Sequence, residues 1–140
     1  MAVPQPKFRE IVLQLLYSYD IGRSNPEDMI EILMKEVEVT KKTVKEAQVK
    51  ADKILAALPE LDKKIADAST AYNFERIQSV ERNVLRLSLY ELFIENEIPP
   101  KVAISEGIRL AKKFASPEGA KFVNALLDTI YKNVEGKDET

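Results

Sequence analysis

The residues that could carry chemistry in this sequence are its carboxylates, its cations and a few aromatic rings. The chain has no cysteine and no histidine, which excludes disulfides, thiolate nucleophiles, Cys/His zinc sites and imidazole-based catalytic triads. Its four glycines form no phosphate-binding motif. Carboxylates four residues before a lysine, as in Glu31 with Lys35 and Glu46 with Lys50, are typical of solvated helix faces. We therefore expect no catalytic residue, no metal site and no cofactor.

Size and charge restrict the classes of protein further. The 140 residues suit a single folded domain, and no run of about 18 apolar residues predicts a membrane span. Lysine and arginine number 21 against 23 acidic residues, for a net charge of -2, so any nucleic-acid site must be local. The stretch from Met1 to Lys7 lacks the apolar core of a signal peptide, which predicts a cytoplasmic protein.

Any binding site must be positioned by helices, because the sequence consists of segments with helical periodicity that are mostly separated by proline. Apolar residues recur every three to four positions, and no segment alternates with the period of two that strands require. We predict an all-α fold of six to seven helices in antiparallel packing. Helices are predicted from about Lys7 to Tyr19, after Asn25-Pro26-Glu27, from Thr43 until Pro59 kinks or breaks the helix, after Ser79, from Pro100 to about Phe114, and after Ser116-Pro117-Glu118.

The helix after Ser79 is the most apolar and is predicted to be the central helix of the core. Val80, Val84, Leu85 and Leu87 belong to an apolar set that covers more than one face of this helix. The stretch from Glu135 to Thr140 is predicted to be a disordered tail.

Three ordered blocks carry a resemblance to a known family. They read SVERNVLRLSLYEL from Ser79, IPPKVAISEGIRLAKKF from Ile98 and KFVNALL from Lys121. A weaker match joins Arg9-Glu10 to Leu13-Gln-Leu-Leu-Tyr17 in the first helix. Together they resemble the NusB family of bacterial transcription antitermination factors (N-utilization substance protein B). The resemblance implies one NusB-like domain over residues 1–140, built from two three-helix bundles at about 7–70 and about 74–134.

The resemblance also implies a function without catalysis. Such proteins pair with a small-subunit ribosomal protein, NusE, and the pair binds the single-stranded boxA element of nascent RNA. In this way they help the transcription elongation complex read through terminators in ribosomal RNA operons.

Single-stranded RNA is bound by cations at its phosphates and by planar groups against its bases. At the family's basic first-helix positions this chain has Lys7 and Arg9, and Tyr17 matches a family tyrosine on the same helix. The tyrosine either offers its ring or hydroxyl to RNA or packs half-buried; its hydroxyl favours partial exposure.

The last predicted helix supplies the other RNA-binding residues that the resemblance implies. Lys121 and Phe122 match the family's Lys-Phe-Val-Asn block, and Glu118 matches an acidic position just before it. Lys121 is the leading candidate because helix N-termini also favour phosphate. Phe122 either anchors the core or stacks on a base.

The ribosomal protein is expected on the C-terminal bundle. Glu81 is a candidate acidic contact there, or else a solvated surface glutamate. Arg82 and Arg86 lie four residues apart, and Tyr90 continues the row. This row is either an exposed interaction stripe or a packed seam.

Three alternatives stay open at this point. One is a helical protein–protein adaptor on the same fold with weak or no RNA binding. Another is a fragment of a ribosomal RNA cytosine methyltransferase, a class in which the same fold precedes a catalytic domain. A homodimer is a third open question.

Overall fold

The described residues form six α-helices and no β-strand. A computed structural model describes residues 4–22, 38–69 and 74–138, with side chains up to residue 133. The predicted all-α fold is confirmed; the helix predicted after Asn25-Pro26-Glu27 lies outside the described residues. The helices are α1 (Gln5–Asp20), α2 (Lys41–Ala56), α3 (Leu58–Ala68), α4 (Ser79–Tyr90), α5 (Pro100–Phe114) and α6 (Pro117–Asp138).

Two short elements flank α4. A 3₁₀ turn (Phe74–Arg76) precedes it and a π-helical turn (Glu91–Glu95) follows it. Asn96 ends the π turn in the left-handed conformation, with φ 51°, which asparagine tolerates better than most residues.

Proline and hydroxyl residues start the helices where the sequence predicts. Proline lies in the first turn of α1, α3 and α5, where its missing N–H costs no helical hydrogen bond. The Ser116 hydroxyl accepts a hydrogen bond from the Gly119 N–H at 2.9 Å, so this predicted cap is confirmed. The cap predicted at Ser79 is wrong, because the N-cap of α4 is Gln78 and Ser79 is already helical.

The chain divides into two compact units, residues 1–56 and 57–140. In the described part of the first unit, α1 packs against α2. Ile11 and Val12 from α1 and Val44 and Ile54 from α2 are completely buried. These residues repeat at helical spacing on each helix, so the two apolar stripes form the core between them.

The second unit surrounds α4, which contacts α3, α5 and α6. Val84, Leu85, Leu87 and Leu89 of α4 are completely buried. Because these four residues cover more than one face, the helix needs neighbours on most sides. Its predicted position at the centre of the core is confirmed.

Helix α3 belongs to the second compact unit; the predicted bundles at about 7–70 and about 74–134 stay a prediction. Helix α2 ends at Ala56, Ala57 forms a turn, and α3 starts at Leu58 with Pro59 in its first turn. Pro59 therefore follows a break between two helices instead of kinking one. The described residues place two helices in the first unit and four in the second.

The predicted disordered tail is also corrected in part. Helix α6 continues to Asp138, because the tail contains no proline and Gly136 only weakens a helix. No helix among the described residues has the length and hydropathy needed to cross a membrane.

Candidate nucleic-acid and protein interface

Helix α1 presents Tyr17 at the surface and keeps Arg9 inside. The Tyr17 side chain is 37% exposed, so its predicted partial exposure is confirmed. Arg9 is only 4% exposed, and Lys7 is half-buried. Arg9 precedes Val12, Leu13 and Leu16 by three, four and seven residues, the spacing of the buried face of α1. The burial of Arg9 disfavours the predicted RNA contact at this residue.

The start of α6 presents the second set of predicted residues. Glu118 and Lys121 are exposed, and Phe122 beside them is half-buried. The half-burial of Phe122 lies between the two predicted roles, a core anchor and a ring that stacks on a base. Since Lys121 lies three residues after Glu118, the two side chains share one helix face.

A concave surface of about 260 Å³ joins the start of α4 to the start of α6. It brings together three residues that the sequence singled out separately: Glu81, Glu118 and Phe122. Arg76, from the 3₁₀ turn, adds a cation to the same concavity. Arg76 was not among the predicted site residues, because the position of its side chain depends on how the 3₁₀ turn packs.

Glu81 is a buried carboxylate at the third position of α4, not a solvated one. Its side chain is 9% exposed and accepts a hydrogen bond from the backbone N–H of Gln78. A glutamate three residues after the N-cap that binds back to the cap is one half of a capping box. Burial raises the pKa of Glu81, and the hydrogen bond from Gln78 opposes that shift.

Gly119 makes room for this carboxylate. A Cβ atom at position 119 would lie 2.5 Å from Glu81 Oε1, so any larger residue displaces the glutamate. The pairing of Glu81 with Gly119 was not predicted. The only sign of it in the sequence is a glycine in the first turn of a helix.

Arg86 lies in the interior of the second unit. It is 6% exposed, and its Nε and Nη2 atoms donate to the two carboxylate oxygens of Asp62 at 2.8 and 2.9 Å. A third hydrogen bond of 3.1 Å reaches Asn83 Oδ1. Because its guanidinium binds within the unit, the structure disfavours the predicted contact of Arg86 with a protein partner.

Arg82 and Tyr90, the other residues of the predicted row on α4, also pack within the second unit. Arg82 is half-buried, with its guanidinium 5.5 Å from the centre of the Phe74 ring. Tyr90 is buried, and burial is the main cause of its raised pKa, with Glu95 and Glu97 contributing. The burial of Arg86 and Tyr90 and the half-burial of Arg82 favour packing within the second unit over an exposed stripe.

The described ranges contain no cluster of three or more Asp or Glu side chains placed to hold a metal ion. Their features are instead exposed cations, partly exposed rings and a shallow concavity. These features define the chain as a small helical domain with surfaces suited to binding. It belongs to the NusB family, whose sequence model matches residues 6–132, so the predicted resemblance is confirmed.

The similarity extends over nearly the whole chain. It is 36% identical over 132 residues to the transcription antitermination protein NusB of Dehalococcoides mccartyi strain CBDB1, covering 94% of this chain and 92% of the relative. The solved structure of T. maritima NusB is 34% identical, with a TM-score of 0.77 over 94% of this chain and 93% of that one. A crystal structure of the antitermination factors NusB and NusE with double-stranded RNA contains a chain 28% identical to this one, with a TM-score of 0.77 over 92% and 96%.

Proposed function

We propose that this chain is a cytoplasmic, non-enzymatic transcription antitermination factor that binds RNA together with a NusE-type small-subunit ribosomal protein. The observation that carries the proposal is its similarity to a chain in the complex of NusB, NusE and double-stranded RNA, over more than nine-tenths of both chains. The relative from Dehalococcoides mccartyi, named a transcription antitermination protein, supports the same role. The target we propose is single-stranded, boxA-like RNA in the transcription elongation complex.

The RNA-binding surface of the second unit is proposed at the start of α6. Lys121 is the contact for a phosphate, because it is an exposed cation in the second turn of α6. The accessible part of the Phe122 ring offers a plane for a base. The negative charge of Glu118 repels phosphates. It therefore favours an approach of the RNA backbone from the side of Lys121.

In the first unit, Tyr17 and Lys7 are the proposed contacts on α1. Tyr17 is accessible for stacking or for a hydrogen bond from its hydroxyl. Lys7 keeps part of its side chain in solvent. Arg9 is omitted because it is buried.

For the protein partner, Arg82 and Glu81 stay proposed positions at the edge of the second unit. A buried carboxylate contributes to such an interface by fixing the start of α4, through its hydrogen bond with Gln78. Arg86 is omitted, because its guanidinium is bound by Asp62 and Asn83.

One observation favours a second candidate function, a helical adaptor that binds proteins and has little affinity for RNA. The burial of Arg9 leaves Lys7 as the accessible member of the predicted basic pair on α1. Fewer phosphate contacts mean weaker and less salt-dependent RNA binding.

Titration of a boxA-like single strand, with and without the host's NusE-type protein at low and high salt, tests the proposal. We expect binding that the partner strengthens and that salt weakens steeply. A double-stranded RNA of the same sequence shows whether the target is single-stranded. Binding of the ribosomal protein without any RNA binding would establish the adaptor in place of the antitermination factor.

A further inference from the structure

The first two turns of α2 carry three lysines on the solvent side. Lys41, Lys42 and Lys45 are all exposed, whereas the intervening Thr43 and Val44 are buried. Lys41 and Lys45 are four residues apart and Lys42 and Lys45 three apart, so the three ammonium groups occupy neighbouring positions on one face. We call this set the α2 lysine patch.

The patch surrounds a shallow depression of about 430 Å³. Val49, one turn beyond Lys45 and 54% exposed, supplies apolar surface to the depression. Glu46 is the one acidic residue among its lining, so three positive charges face one negative charge. This local excess contrasts with the chain's net charge of -2.

No ion pair within the described part of the chain explains these lysines. Among residues 4–22, 38–69 and 74–138, none of the ion pairs includes Lys41, Lys42 or Lys45. Cations repel the positive end of a helix, and like charges four residues apart repel each other. Helix α2 begins instead with the Thr40 hydroxyl, which accepts a hydrogen bond from the Thr43 N–H at 3.2 Å. The lysines therefore weaken the helix they stand on.

We propose that the α2 lysine patch is an additional RNA-backbone contact of the first unit. Clustered, exposed ammonium groups on an otherwise acidic chain complement a polyanion, and they contact phosphates without reading sequence. The patch supplies the positive charge that buried Arg9 does not offer to solvent. This inference rests on the proposed RNA-binding function and assigns to it a set of residues that the family resemblance did not indicate.

The test compares two triple variants of the full chain in complex with the NusE-type protein. One is Lys41→Gln with Lys42→Gln and Lys45→Gln. The matched control is Lys53→Gln with Lys63→Gln and Lys132→Gln, which removes the same charge from exposed lysines elsewhere. Fluorescence anisotropy measures their affinity for a boxA-like RNA and for a scrambled RNA of equal length, over a series of salt concentrations.

We expect the patch variant to lose about tenfold in affinity near 0.1 M salt for both RNAs. The slope of log K against log salt should fall in magnitude by about two, since each phosphate contact on a single strand contributes roughly 0.7. The control should keep the slope of the unaltered chain. Thermal melting of the patch variant should be unchanged or slightly higher, because glutamine removes the repulsion at the start of α2.

The outcomes separate this inference from the proposed function. Equal affinity and slope for the patch variant and the unaltered chain would overturn the inference and leave the function standing. An equal loss in the control would also overturn it, because the effect would then reflect overall charge. Failure of the unaltered complex to bind either RNA would overturn both.

Discussion

The carboxylate of Glu81 lies against Gly119, so close that a Cβ atom at position 119 would come within 2.5 Å of Oε1. Glu81 also accepts a hydrogen bond from the Gln78 N–H at the start of α4. One side chain thus packs between the first turns of α4 and α6, the two helices that line the concavity of the second unit.

Replacement of Gly119 by alanine should displace the Glu81 carboxylate without unfolding the unit. The contact is with the far end of a flexible side chain, and alanine favours a helix over glycine by up to about 1 kcal/mol. We expect a net change in the free energy of unfolding below about 1 kcal/mol, because the loss of the hydrogen bond to Gln78 offsets that gain. In a Glu81→Ala background, Gly119→Ala should stabilise the chain. Urea denaturation of the four chains measures this coupling, and additive effects would contradict the packing described.

The raised pKa of Glu81 predicts a pH dependence of stability. Because of burial, the folded state binds a proton at Glu81 more readily than the unfolded state. Above the folded pKa the buried carboxylate is charged and lowers the stability of the fold, and this cost disappears as the pH falls through that pKa. The unaltered chain should therefore gain stability relative to Glu81→Gln between about pH 7 and about pH 4.5. Chemical denaturation of both chains at the two pH values measures this difference, in which the effects of the other carboxylates cancel. A difference that moves the opposite way would show that the hydrogen bond from Gln78 outweighs burial.

Removal of Arg86 should destabilise the second unit strongly. Arg86→Ala leaves Asp62 and Asn83 without their buried partner, and breaking such a pair costs about 3 kcal/mol or more. The matched surface change is Lys63→Ala, whose ion pair with Asp67 is 3.3 Å long and largely exposed; it should cost less than about 1 kcal/mol. Urea denaturation distinguishes the two, and similar values would place Arg86 at the surface.

Truncation of Leu89 tests the assignment of α4 as the central helix. Leu89 is completely buried, so Leu89→Ala should cost about 2 to 5 kcal/mol. Ile94→Ala is the control, because that side chain is 38% exposed and should cost less. A shift below about 0.5 kcal/mol for Leu89→Ala in chemical denaturation would contradict its place in the core.

Lys121→Ala should weaken the binding of boxA-like RNA about tenfold while the helical content stays unchanged, because it removes one exposed cation from α6. The control is Lys132→Ala on the same helix, whose ammonium pairs with Asp128 at 3.1 Å. Circular dichroism and an anisotropy titration provide the two measurements. Equal affinities for the two variants would move the RNA contact away from the start of α6.

The sequence by itself determined what depends on neighbours along the chain. Periodic apolar residues, together with prolines and Ser116 at helix starts, identified the all-α fold, the central α4 and the start of α6. Three blocks of similarity were enough to predict the family, because their order and separation can be compared along the sequence without knowing how the helices pack. The exposure of Tyr17 followed from its hydroxyl.

Only the tertiary structure decided which charged residues reach solvent. Helical spacing places Arg9 in line with Val12, Leu13 and Leu16, but only the packing of that face shows that the arginine side chain is buried. The pairs Arg86–Asp62 and Glu81–Gly119 join residues 24 and 38 positions apart, a separation at which local patterns carry no signal. The assignment of α3 to the second unit has the same cause. Burial and ion pairing depend on contacts between distant segments, and those contacts form only when the helices pack.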